Sequence, residues 1–262
     1  MKVYRFLNPC GAGAHHHIVE IFEEDDEVIV EFLDHEDIGA EEKKLSLIDS
    51  MTRKHRYYRP ADCFDIFQEL VGKEGGRGLS ILIETILINN YRGLKEADED
   101  DYEKVRLLLE AGADPNYADP IGHSLLRSAI VGGASDIARL LIAAGADVSR
   151  GNFDGVSPLH AAAGIVVSTG GYEWLGDEKR KELTRILLDA GAPVDEANDL
   201  GWTALHYAAR FGFPGVAEVL IRAGANPYKK SSIGQTPTEL TVVYGQWGTG
   251  RRIRQLRDEL DL

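Results

Sequence analysis

Long hydrophobic runs are missing from this chain. None of its 262 residues sits in a stretch approaching the ~20 apolar residues that cross a bilayer. The longest candidate, Leu79 to Ile88, is broken by Ser80, Glu84 and Thr85, and reads as a buried helix. No membrane partner is expected. Cysteine is nearly absent too. Cys10 and Cys63 are the only two, too few for a disulfide framework, so both read as reduced thiols of a cytoplasmic protein. The segment from Met1 to Asn8 has basic residues but no apolar core, so no signal peptide is expected. Positive charge is in deficit: 29 Lys and Arg face 43 Asp and Glu, a formal net charge of −14. Residues 1–100 carry 22 acidic and 12 basic side chains, the remainder 21 and 17. Non-specific nucleic-acid binding needs a positive surface and is not expected. Rapid encounter with a basic partner would be favoured, although the same acidity would also serve solubility alone.

Arrangements that carry chemistry are equally scarce. His15, His16 and His17 lie near Cys10, but neighbours on a strand point to opposite faces, so three adjacent histidines do not converge on one ion. Cys63 and His55 have no motif around them, and Cys63 falls in an apolar-faced segment that reads as core. Gly170-Gly171 and the stretch from Gly245 to Gly250 do not join a strand to a helix in a phosphate loop. One basic-aromatic cluster, Arg53 to Arg59 with Tyr57 and Tyr58, could meet phosphates and bases. Pairing with the acidic run Glu23 to Glu27 of the same chain is the preferred reading, given the overall charge. Catalytic residues, cofactors and bound metals are therefore not expected.

What is present is repetition. Gly155-Val156-Ser157-Pro158-Leu159-His160-Ala161-Ala162-Ala163 is echoed by Gly201-Trp202-Thr203-Ala204-Leu205-His206-Tyr207-Ala208-Ala209, and more faintly after Gly122 and Gly234. A second signature runs Leu107-Leu108-Leu109-Glu110-Ala111-Gly112-Ala113-Asp114 and returns ending at Gly145, Gly191 and Gly224. Gly112 to Gly145 is 33 residues, as are Gly191 to Gly224, Gly122 to Gly155 and Gly201 to Gly234. The intervals Gly145–Gly191 and Gly155–Gly201 are 46, so one copy holds 13 extra residues. Ser157, Thr203 and Thr236 are placed to cap a first helix, and Pro158 and Pro237 then sit at its first position. Gly112, Gly145, Gly191 and Gly224 fit a left-handed stop after a second helix.

This pattern resembles the ankyrin repeat, with its Gly-x-Thr-Pro-Leu-His-x-Ala core and 33-residue period. The likeness spans residues 78–262. It implies a mostly α fold: a solenoid of about five helix-turn-helix units, 78–118, 119–151, 152–197, 198–230 and 231–262. The first unit is irregular, with helix one from Gly78 to Asn90, an acidic loop Glu96–Asp101, and helix two from Tyr102 to Glu110. In the fifth, Thr238 and Glu239 replace the usual Leu and His, and Gly250 to Leu262 reads as a polar capping helix. His160 and His206 fall where the family's histidine hydrogen-bonds locally, which implies a structural role.

Residues 1–76 lie off the period. Lys2 to Leu7 alternates as a strand does, and Ile18–Phe22 and Val28–Phe32 flank an acidic turn as a hairpin would. Residues 41–56 and 61–71 read as helical. A small α+β domain of no recognised family is expected here.

The resemblance also implies a binding surface on the concave face of the stack, made of finger tips and the exposed positions of the first helices. Carried over residue by residue, it comprises Ile121 and His123, then Phe153, Asp154 and Val156, then Asp199, Leu200, Trp202, Tyr207 and Arg210. Pro120, Ile233 and Gln235 flank them. Tyr172 and Trp174 add a second patch on the 13-residue insertion, since insertions in repeat proteins often map to the binding face. Trp202 is the expected anchor, because Trp, Tyr and Arg dominate interfaces; alternatively it packs across neighbouring fingers. The aromatics of the insertion could likewise fold back on the stack. The function expected is a non-catalytic protein-binding module, an inhibitor, immunity-type or adaptor protein acting on a basic partner. Two other readings stay open: an enzyme with its active site in 1–76, and a nucleic-acid-associated protein using 53–59.

Overall fold

The computed structural model describes residues 4–9, 16–24, 27–33, 80, 83–84, 86–87, 99–119, 121–164 and 175–261. The chain divides into two compact units. One groups Met1–Ile86 with Glu99–Asp114, the other Leu87–Asp98 with Pro115–Leu262.

In the first unit, β1 (Tyr4–Pro9), β2 (His16–Glu24) and β3 (Glu27–Leu33) form an antiparallel sheet in that order. Tyr4 pairs with Ile21, and Glu24 pairs with Glu27 across the acidic turn. Helix α1 (Glu99–Glu110) buries Val105, Leu107 and Leu108. Its first turn is Glu99, Asp100 and Asp101, residues expected in a loop. Carboxylates at a helix N-terminus face its unpaired N–H groups, so the acidic run starts the helix rather than preceding it. Asp101 also pairs with Lys104 at 3.1 Å, one turn along. The Ser80 hydroxyl donates to the Asp114 carbonyl at 3.0 Å. The helices expected at 41–56 and 61–71, Cys10, Cys63, His55 and residues 53–59 lie outside the described residues.

The second unit is a run of helix pairs: α2 (Leu125–Val131) with α3 (Ser135–Ala143), α4 (Pro158–Gly164) with α5 (Asp177–Asp189), α6 (Ala204–Phe211) with α7 (Pro214–Arg222), and α8 (Pro237–Val243) with α9 (Trp247–Glu259). First helices pack on first helices, α2 on α4, α4 on α6 and α6 on α8, while α5 packs on α7 and α7 on α9. Small residues make this closeness possible: Ala129, Ala161, Ala162, Ala163, Ala208 and Ala209 are all buried. Leu141, Leu187 and Leu220, on α3, α5 and α7, are fully buried. Gly112, Gly145, Gly191 and Gly224 all have φ between +88° and +98°, the left-handed stop expected from their spacing.

Two buried histidines link the pairs. His160 Nδ1 accepts the Ser157 N–H at 3.1 Å, which leaves the ring proton on Nε2. Nε2–H then donates to the Trp202 carbonyl, 2.9 Å away in the next repeat. His206 does the same with Thr203 N–H at 3.1 Å and the Gln235 carbonyl at 3.1 Å. Burial holds both rings below the ordinary imidazole pKa. Glu239 stands where the third histidine would. It takes the Thr236 N–H at 2.7 Å and completes a capping box, but offers no N–H to pass onward.

Candidate protein-binding surface

Each finger of the second unit is a short turn held by one side-chain oxygen. Asp119 Oδ1 accepts from the N–H groups of Ile121 (2.9 Å) and His123 (2.7 Å). Asn152 Oδ1 accepts from Asp154 (3.1 Å) and Val156 (2.9 Å), and Asn198 Oδ1 from Leu200 (3.0 Å) and Trp202 (2.9 Å). Ser231 Oγ takes the Gln235 N–H at 3.2 Å. Such self-bonding turns favour Asp, Asn and Ser. These four residues were not anticipated, yet they obey the period: each stands three before a finger glycine, at Gly122, Gly155, Gly201 and Gly234. Neighbouring fingers are also joined through the backbone, Asp199 N–H to the Asp154 carbonyl at 3.1 Å and Ser232 N–H to the Leu200 carbonyl at 2.9 Å.

The turns force the tip side chains outward. Ile121, Phe153, Leu200 and Ile233 are exposed by 57%, 75%, 59% and 71%. Four large apolar side chains in a row, one per finger, are an unusual use of surface. Asp154 and Asp199 are exposed among them.

The expected anchor is not in this row. Trp202 is only 7% exposed, and Val156, at the matching place in its own finger, 8%. Both follow the finger glycine, where the backbone N–H is tied to Asn198 or Asn152 and the side chain turns toward the helices. Trp202 stacks on His206 with ring centroids 6.2 Å apart, meets Tyr207 edge-on at 5.4 Å, and lies 5.2 Å from the Arg210 guanidinium. It packs within the stack rather than presenting a free face. His123 is half-buried, with Nδ1 3.3 Å from Asp119 Oδ2; burial, helped by Arg127, lowers its pKa. Tyr207 is also half-buried. Its hydroxyl accepts from Asn198 Nδ2 at 3.0 Å, and burial raises its pKa. Arg210 runs on from Trp202 to Tyr244, 4.9 Å away. Of the expected surface, Ile121, Phe153, Asp154, Asp199 and Leu200 are brought together in the open. His123, Tyr207 and Arg210 line its inner edge. Tyr172, Trp174 and Pro120 lie outside the described residues.

Family profiles for ankyrin repeats match the sequence that builds these fingers and helices. One describing three copies covers residues 95–166, and one describing many copies covers 173–221. These residues are ankyrin repeats. No curated protein matches it in sequence. Each repeat contacts its neighbours through its buried residues, and the exposed tips Ile121, Phe153, Leu200 and Ile233 lie outside that core. Among the described residues, no group of three or more His, Cys, Asp or Glu is placed to hold a metal ion. No helix among them is long and apolar enough to cross a membrane.

Proposed function

We propose that this protein binds another protein through its row of finger tips, and that the partner presents a basic surface. Ankyrin repeats generally mediate protein–protein interaction, and the four exposed apolar tips are the observation that carries the reading. Asp154 and Asp199 between them would meet cations on the partner, and the net charge of −14 would speed the encounter. The binding residues are then Ile121, Phe153, Leu200 and Ile233, with Asp154, Asp199, Tyr207 and Arg210 at their margin. Trp202 and Val156 serve the interaction only by holding the fingers. The role that suits such a surface is occupying a partner's functional face, as an inhibitor, immunity-type or adaptor protein does.

The domain plan that goes with this reading has a small α+β domain at 1–76 and five repeats from 78. Tyr172 and Trp174 of the insertion would add further contacts.

Capture from cell extract tests the proposal, with wild type and Phe153→Ala/Leu200→Ala run side by side. A protein retained by the first and lost by the second, and released as salt rises, is the expected result. Equal retention by both would end the finger-tip reading.

A further inference from the structure

A second exposed apolar cluster sits on the fourth helix pair of the second unit. Val243, Tyr244 and Trp247 are exposed by 60%, 43% and 61%, and the turn at 245–246 joins them. Trp247 opens α9, and Arg251 and Arg254 follow at four and seven residues, on the same face of the helix. Both arginines are exposed. The Arg254 guanidinium runs back along α9, its Nη1 3.7 Å from where a Cβ on Gly250 would stand. Val242, on α8, extends the apolar surface and is half exposed, although Ala209 at the matching place in the preceding repeat is fully covered.

The charge of this cluster is opposite to that of the molecule. The other arginines nearby are engaged: Arg222 and Arg252 share Glu218 and Glu259, and Arg257 lies over the Tyr228 ring. Among the described residues, neither Arg251 nor Arg254 has a carboxylate partner, and Asp258 begins the acidic end of the helix a turn further on. Arg210 adds a third cation at the border, held against Tyr244 at 4.9 Å.

We propose that Val243, Tyr244, Trp247, Arg251 and Arg254 form a second docking surface, whose occupant is an acidic peptide segment carrying apolar side chains. Apolar residues of the peptide cover Trp247, Tyr244 and Val243, and its carboxylates pair with Arg251 and Arg254 in the two-pronged geometry that guanidinium favours. A protein of net charge −14 is repelled by an extended anionic surface such as a lipid headgroup layer. A short peptide touches only the local cationic patch, within the ~8 Å over which charge is felt at physiological salt. None of these five residues is a finger-tip residue and only Arg210 borders both surfaces, so variants on either side test the two readings independently.

Fluorescence anisotropy of a labelled peptide alternating Glu with Phe and Leu tests it, using the full chain. The expected result is saturable binding that Trp247→Ala weakens by ~10-fold or more, and that Arg251→Glu/Arg254→Glu abolishes. Phe153→Ala/Leu200→Ala leaves it unchanged, and a peptide with Lys in place of Glu does not bind. Circular dichroism checks that each variant keeps its helix content, as changes at exposed positions allow. The proposal is overturned by absence of binding, by equal binding of the Lys peptide, by affinity unchanged in both patch variants, or by association with phosphatidylserine vesicles in place of the peptide.

Discussion

Trp202 and Phe153 occupy neighbouring fingers, yet they do opposite things. Trp202 is enclosed by His206, Tyr207 and Arg210, so Trp202→Ala leaves a large void and costs ~3–5 kcal/mol of stability, read by urea unfolding. Phe153 is exposed, and Phe153→Ala shifts stability by no more than ~0.5 kcal/mol. A Trp202→Ala protein as stable as wild type would contradict the packing described above. The histidines set a pH dependence. His160 and His206 are buried and neutral, with folded pKa values below the unfolded value of about 6.5. Their contribution is complete above that value and is lost as pH falls through the folded pKa, because a second proton on the ring removes the Nδ1 acceptor. The thermal midpoint of wild type therefore drops between about pH 7 and about pH 5. His160→Asn/His206→Asn, less stable at neutral pH, drops less over that interval. Equal drops in the two proteins would mean that other groups set the acid response.

At the scale of elements, the repeat carrying the insertion is the informative one. Its first helix, α4, ends at Gly164, where any Cβ would strike the Phe211 ring. The open carbonyls at that end are met by Arg180, which is 3% exposed. Its Nη1 donates to the Ala162 and Ala161 carbonyls at 3.2 and 3.4 Å, and its Nε to Leu175 at 3.1 Å. The guanidinium rests 4.6 Å over the Phe213 ring, and burial lowers its pKa to about 10. A cation at a helix C-terminus is favourable. Asp177, at the start of α5, accepts from the Gly215 and Val216 N–H groups at 2.8 and 3.1 Å, capping α7. Arg180→Met strands those carbonyls and costs ~1–3 kcal/mol. Hydrogen exchange should show faster opening of α4 and α5 in that variant. Unchanged protection would show that Arg180 is dispensable.

Much of this was legible because a 33-residue period writes its architecture into the chain. The helix caps at Thr203 and Thr236, the four left-handed glycines and the structural histidines follow from position within the repeat alone. The finger acceptors Asp119, Asn152, Asn198 and Ser231 carry the same period but vary in side chain, so a search for identical residues passes over them. The direction of Trp202 was not legible. Its residue type suits an interface and a core equally, and only the bond from its N–H to Asn198 fixes which way it turns. Likewise the acidic run before Tyr102 has the composition of a loop, and only its place at a helix N-terminus makes it the first turn of α1.

For the molecule as a whole, the proposed function divides labour between two sets of residues. Buried repeats build the stack, and on that proposal the exposed tips choose the partner. Association should be fast and salt-sensitive, since net charge −14 steers a basic partner at low ionic strength. Raising salt should slow binding far more than it speeds release. The most direct measurement is a titration by calorimetry of the captured partner into wild type and into Phe153→Ala/Leu200→Ala, with both proteins shown to unfold at the same urea concentration. The expected result is a loss of affinity of ~30-fold or more in the variant, about 2 kcal/mol. Equal affinities at equal stability would contradict finger-tip binding, and would place the partner elsewhere on the chain.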